Sequence, residues 1–186
     1  MQIINEPQNA LSQATQGIQW AYPNLTWVPN TFGCYDSNFQ DDQIPLIAGG
    51  GSGHDPAHWG YVGPGMLTAA IMGTVFQPPT SQEIVKVTKQ VTRQRRVFFI
   101  VKNFPADVSA FTAAQQQLQK EHWQTGLCIV ADDISVDHES LKQRRRGVAG
   151  TILVHKILGA AAAQGASIAE LTHIAAALVP NIHTIG

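Results

Sequence analysis

Ile44–Met66 reads IPLIAGGGSGHDPAHWGYVGPGM. Its first six residues, Ile44–Gly49, form an apolar run of strand length with no alternation, which predicts a strand buried on both faces. The chain then passes directly into Gly50, Gly51, Ser52, Gly53, His54 and Asp55. Between Ile47 and Met66 stand seven glycines, two histidines and one aspartate. Glycine inside a strand or helix is destabilising, so such density implies either an elaborate loop or a close backbone approach to something.

The same arrangement recurs further along the chain. Val97–Asn103, VFFIVKN, is followed by the rest of KNFPAD, and Leu127–Asp133, LCIVADD, opens ADDISVD. Leu25–Val28, LTWV, is a weaker strand candidate. Helical segments lie between and after these runs. Thr80 with Glu83 predicts a capping box before IVKVTKQVTR, and Ser167 with Glu170 predicts another before LTHIAAALV. The residues after Asp107, VSAFTAAQQQLQKEHW, read as a helix, as does VAGTILVHKILGAAAAQG, with Gly165 as its stop. Alternation of this kind predicts an α/β layer structure with a largely parallel sheet. Ligands in such sheets sit at the carboxyl ends of the strands, and the reactive side chains follow each strong strand.

Composition narrows the function classes. A chain of 186 residues, 44% hydrophobic and 13% charged, is long enough for one large domain with an ordinary core. A formal charge of −1 supplies no electrostatic reason to expect nucleic acid or an acidic membrane as partner. The basic KQRRRG, Lys142–Gly147, reads as a solvated helix start. Cys34 and Cys128 lie far apart in no metal-binding spacing, and Cys128 reads as a buried thiol. MQIINEPQNA lacks the basic start and apolar core of a secretory signal, and no apolar run reaches membrane-spanning length. The expected compartment is a reducing cytoplasm.

The glycine run is not a nucleotide motif. His54 stands where a P-loop needs lysine, and in both dinucleotide registers the third glycine falls on His54 or Pro56. A cradle of backbone amides remains, suited to a small oxygen-rich ligand or a phosphate. His54 at its exit can orient a ligand hydroxyl or shuttle its proton, with a structural histidine as the alternative. His58, with Trp59 and Tyr61, reads as loop packing. Asp107 is either a helix cap or a general base. Asp132 and Asp133 read as a second shell or a loop turn rather than a cation site.

GGGSGHDPAHWGYVGPGMLTAAIMGTVFQPP resembles the signature of the dihydroxyacetone kinases, specifically their substrate-binding subunit DhaK. VKNFPADVSAF, VADDISV and RRRGVAGTILVHKILGAAAAQG resemble that family in the same order, so the resemblance spans nearly the whole chain. It implies an α/β/α domain of the DhaK N-terminal type over residues 1–186. It also implies dihydroxyacetone (glycerone) binding by Gly51, Ser52, Gly53, His54, Lys102 and Asp107, with His54 and Asp107 catalytic. Lys102 would bind the substrate oxygens and Asp107 would be the base for the phosphorylated hydroxyl. No metal or cofactor is implied on this chain. ADP or ATP with magnesium belongs to a partner subunit or a fused domain; the partner subunits implied are the phosphoryl donor DhaL, which carries ADP, and the phosphohistidine subunit DhaM that recharges it. A homodimer is the expected assembly.

The chain departs from the pattern at Asp55, where glutamate is usual, and at Gln77–Pro79. The family subunit also has a second half beyond NIHTIG, carrying a histidine that forms a covalent hemiaminal with the substrate. None of the seven histidines here lies in the matching motif. The chain therefore reads as a first domain, excised or ending early, with no hemiaminal and weak or absent catalysis on its own. Two functions stay open: the triose-binding part of a kinase, and a triose-sensing transcriptional coactivator, since relatives of both kinds keep the glycine loop and His54.

Overall fold

The computed structural model describes residues 4–136 and 145–186. A six-stranded sheet runs in the order β1-β2-β4-β3-β5-β6. Its strands are β1 (Leu25–Trp27), β2 (Phe32–Asp36), β3 (Leu46–Ser52), β4 (Ala69–Val75), β5 (Arg96–Lys102) and β6 (Gln124–Val130). The pairs β4–β3, β3–β5 and β5–β6 are parallel, and β2 joins β4 and β1 antiparallel. The expected largely parallel sheet is present, with an antiparallel hairpin added at one edge.

Five helices flank it: α1 (Ala10–Ala21), α2 (Ser81–Val91), α3 (Pro105–Lys120), α4 (Gly150–Ala163) and α5 (Ile168–Leu178). The alternation along β5 sets the layers, because successive side chains of a strand point to opposite faces. Val97, Phe99 and Val101 pack with Ile84, Val87, Phe111 and Leu118 of α2 and α3. Phe98 and Ile100 pack with Val154, Leu158 and Leu171 of α4 and α5. Phe98 and Phe99 are both fully buried, each worth about 1.5–3 kcal/mol relative to exposure. The result is the expected α/β/α sandwich.

Both capping boxes form, at Thr80 with Glu83 and at Ser167 with Glu170. Other boundaries differ from expectation. Strand β3 continues through the first glycines to Ser52, with a register irregularity between Gly50 and Ser52. Helix α3 begins before Asp107 because Pro105 occupies its first turn with a preset φ. It stops at Lys120, where His122 adopts a left-handed φ of 63° and Trp123 N–H bonds back to the Leu118 carbonyl. Helix α4 begins at Gly150, beyond the basic run read as a helix start. Lys142–Arg144 of that run lie outside the described residues.

One topological detail positions the site. The connection leaving β3, residues 53–68, carries Tyr61, Val62 and Leu67 into the α4–α5 face. The connection leaving β5 is α3, which packs on the opposite face. Neighbouring parallel strands whose exits diverge open a crevice between their carboxyl ends. Gly51–His54 and Lys102–Asp107 lie at that crevice.

Candidate functional site

A cavity of about 190 Å³ at the switch point is lined by Gly51, His54, Phe76, Lys102, Phe104 and Asp107. Four of the six residues expected at a site meet here. Lys102, the last residue of β5, is buried, and its Nζ donates to His54 Nε2. Asp107, in the first turn of α3, is also buried, and its Oδ1 has no hydrogen-bond partner among the described residues. It is not the helix cap, since Phe104 holds that position and Asp107 lies inside the helix.

The glycines have separate steric reasons. A Cβ on Gly49 would lie 2.2 Å from the Ile71 carbonyl oxygen. On Gly50 it would lie 2.9 Å from Asp107 Oδ1 and 3.2 Å from Lys102 Nζ. On Gly51 it would lie 2.6–2.8 Å from the backbone of Phe76 and Gln77. Gly49 and Gly51 thus let backbones approach, whereas Gly50 makes room for the two charged side chains.

Two expected contacts sit differently. The Ser52 hydroxyl donates to the Gly73 carbonyl at 2.7 Å, tying β3 to β4, so its side chain is committed to the sheet. Gly53 does not line the cavity, and its N–H contacts Asp55, which also accepts from Trp59 Nε1 at 2.7 Å. Asp55 therefore braces the loop. Asp132 and Asp133 are likewise structural, as read. Asp132 accepts from Val148 N–H, Gly150 N–H and the Thr184 hydroxyl. Asp133 accepts from Ser135, Arg146 and Gly186, and the bonds from Ser135 and Arg146 hold its carboxyl well below the usual range.

Burial perturbs the site's ionisable groups. It lowers Lys102, opposed by Asp107, and raises Asp107, opposed by Lys102. Partial burial, then Lys102, lowers His54. Such paired perturbation in a cleft marks functional candidates.

Other residues join the site without having been singled out. Phe76 has a left-handed φ of 57° and forms one wall with its ring exposed. A non-glycine residue in that conformation costs about 1–3 kcal/mol, strain that collects at functional sites. A second cavity of about 320 Å³ shares His54, Lys102 and Phe104 and extends to His58, Tyr61, Thr151 and His155. His58 contacts both His54 and His155 edge-on, at ring separations of 5.7 and 5.5 Å. Both buried imidazoles have no hydrogen-bond partner among the described residues. His58 therefore packs the loop, as read, and packs it against the site. Among the described residues no group of three or more His, Cys, Asp or Glu side chains is placed to hold a metal ion, and no helix is long and apolar enough to cross a membrane.

The fold is a three-layer α/β domain with a small cavity at the switch point of its sheet, the place where such folds take small-molecule ligands. More narrowly, the chain belongs to the Dak1 domain family, whose pattern matches residues 16–186. It is 45% identical over its full length to the DhaKLM operon coactivator DhaQ of Lactococcus lactis, covering 57% of that protein. It is 43% identical over 99% of its length to the dihydroxyacetone-binding subunit DhaK of the same organism's PTS-dependent dihydroxyacetone kinase, covering 56% of it. The dihydroxyacetone kinase of C. freundii, crystallised with AMP-PNP and Mg2+, superposes with a TM-score of 0.87 at 33% identity, over 97% of this chain and 34% of that one. The chain spans about half the length of the two Lactococcus proteins.

Proposed function

We propose that the chain is the dihydroxyacetone-binding part of a cytoplasmic dihydroxyacetone kinase whose phosphoryl donor is supplied by a partner. The observation that carries this reading is the convergence of His54, Lys102 and Asp107 on one small cavity, in a chain similar to the DhaK subunit. A triose has little apolar surface, so hydrogen bonds must hold it. Lys102 and His54 bind its oxygens, and Asp107 accepts the proton of the hydroxyl that is phosphorylated. The Oδ1 of Asp107, without a hydrogen-bond partner among the described residues, can take that proton, and a carboxyl raised by burial is a stronger base than an exposed one. Positioning of this kind is most of what phosphoryl transfer asks of a protein.

This chain's residues do not fit a nucleotide with its magnesium. It has neither a P-loop nor a dinucleotide glycine motif, and Asp132 and Asp133 are occupied with backbone and side-chain donors. A DhaL-type subunit recharged by a DhaM-type protein fits the reading. The coactivator reading has its own support in the similarity to DhaQ, which equals that to DhaK within two points of identity, 45% against 43%.

The test is dihydroxyacetone binding by calorimetry, followed by triose phosphate formation with the donor subunits added to the protein as its cell makes it. Binding with turnover, and Asp107→Asn losing about 10²–10⁴ in rate, supports the kinase. Binding without turnover supports the sensor. No binding overturns both.

A further inference from the structure

The second cavity, of about 320 Å³, shares His54, Lys102 and Phe104 with the smaller one, so these three residues form the partition between them. His58, Thr151 and His155 belong to its far wall, and each is at most 2% exposed. Among the described residues, eight buried side-chain nitrogen or oxygen atoms lack a hydrogen-bond partner. Five of the eight are on this wall: both ring nitrogens of His58, both of His155, and Thr151 Oγ1. Thr151 differs in this from Thr88 and Thr172, whose hydroxyls donate to the carbonyl four residues earlier in their helices. Buried polar atoms are nearly always satisfied, so five on one cavity call for an occupant that satisfies them.

The wall also selects the chemistry of that occupant. Burial pushes both imidazoles below their usual range and keeps them neutral, and a neutral imidazole presents one N–H and one bare nitrogen. With the Thr151 hydroxyl, which donates and accepts, the wall offers donors and acceptors in equal number. Hydroxyl groups do both and match that inventory. A carboxylate or phosphate only accepts and would leave the bare nitrogens unmatched, and a cation would meet Lys102. Tyr61, Phe104 and Ile152 supply apolar surface for a carbon chain. The volume equals that of about ten waters in the liquid, room for a chain of about four or five hydroxylated carbons.

We propose that this second cavity binds an uncharged polyhydroxy compound of that size, separately from the ligand of the smaller cavity. The site stands whether or not the smaller cavity takes a triose. Its occupant lies against the far side of His54 and Lys102, the residues that the triose reading puts on the substrate's oxygens. Each ligand therefore alters the affinity of the other, by the same factor in both directions. A kinase subunit or a sensor built this way reads a second metabolite beside its first.

The experiment is calorimetry of the full chain with erythritol and with xylitol, alongside nitrogen NMR of the histidine rings. The expected result is one equivalent of polyol bound, with the ring signals of His58 and His155 displaced. Those of the exposed His122 and His173, which line neither cavity, should stay in place. Thr151→Val, which keeps the side-chain shape, should weaken binding about two- to tenfold, the loss of one neutral hydrogen bond. Dihydroxyacetone and polyol should bind together, so mutual exclusion would put the polyol in the smaller cavity and overturn the second site. Binding that leaves His58 and His155 unmoved, or is undiminished in Thr151→Val, overturns it as well. Lactate binding more tightly than either polyol would mark an anion site and refute the class of ligand. If neither polyol binds, the cavity holds water only and the proposal fails, while dihydroxyacetone binding in the same cell would leave the triose reading standing.

Discussion

Replacing Asp132 by alanine removes the acceptor for three donors at once: Val148 N–H, Gly150 N–H and the Thr184 hydroxyl. Gly150 is buried and begins α4, whereas Val148 and Thr184 are half-buried. An orphaned buried donor costs about 1–3 kcal/mol. Charging the buried donor fully and the half-buried pair partially, because water reaches them, places the loss at about 3–5 kcal/mol. For a chain of this size that corresponds to a fall of about 6–20 °C in Tm. Asp133→Ala is the matched comparison. Its carboxylate is equally buried, but its donors belong to exposed residues, Ser135, Arg146 and Gly186, which can turn to water. About 1–2 kcal/mol is expected there. Thermal unfolding followed by circular dichroism compares the two. If Asp132→Ala melts within about 3 °C of the parent, or Asp133→Ala melts lower, these two aspartates are not structural in the way described.

Gly50→Ala should leave Tm within a few degrees but weaken dihydroxyacetone binding by about ten- to a hundredfold, since displacing one charge-assisted contact costs about 1.5–3 kcal/mol; equal affinity in calorimetry would refute the role given to Gly50. Burial holds His155 down to about 3 and His58 well below its usual range, so between about pH 6.5 and those values the unfolded chain binds protons that the folded chain does not. Stability should therefore fall on acidification by about 1.4 kcal/mol per pH unit for each histidine. Urea midpoints between neutral pH and about pH 4 check this, and a slope unchanged in His155→Phe would contradict it. Cys34 and Cys128, both buried with thiols pushed up to about 12, should resist a thiol reagent in the native state and react on unfolding; prompt native labelling would show that burial is not protecting them.

How much of this was legible in the sequence follows from how local each signal is. β3, β5 and β6 announce themselves as apolar runs, and the two capping boxes need only residues three apart. β4 does not, because Ala69, Ala70 and Gly73 have low strand propensity and belong there for their fit between β2 and β3. Helix α1 escapes notice because only Thr15 of its twelve residues is buried, which leaves little apolar stripe to read. In the site, Gly51, His54, Lys102 and Asp107 were legible because each lies at or soon after the carboxyl end of a strong strand. The tie of the Ser52 hydroxyl to Gly73 could not be foreseen, because Gly73 lies on the strand that could not be read. Phe76 owes its place to one backbone angle, and His155 comes from a helix about a hundred residues downstream of the loop it meets.

The three consecutive glycines of β3 also carry a record that drift would write unevenly. Positions 49 and 51 face main-chain atoms, which no mutation elsewhere removes, so any descendant keeping the sheet must keep them. Position 50 faces only the ends of Lys102 and Asp107. A lineage that abandoned those two residues would release position 50 alone, and alanine or serine could settle there without harm. One letter among three would then separate relatives that still use the pocket from relatives that have retained only its walls.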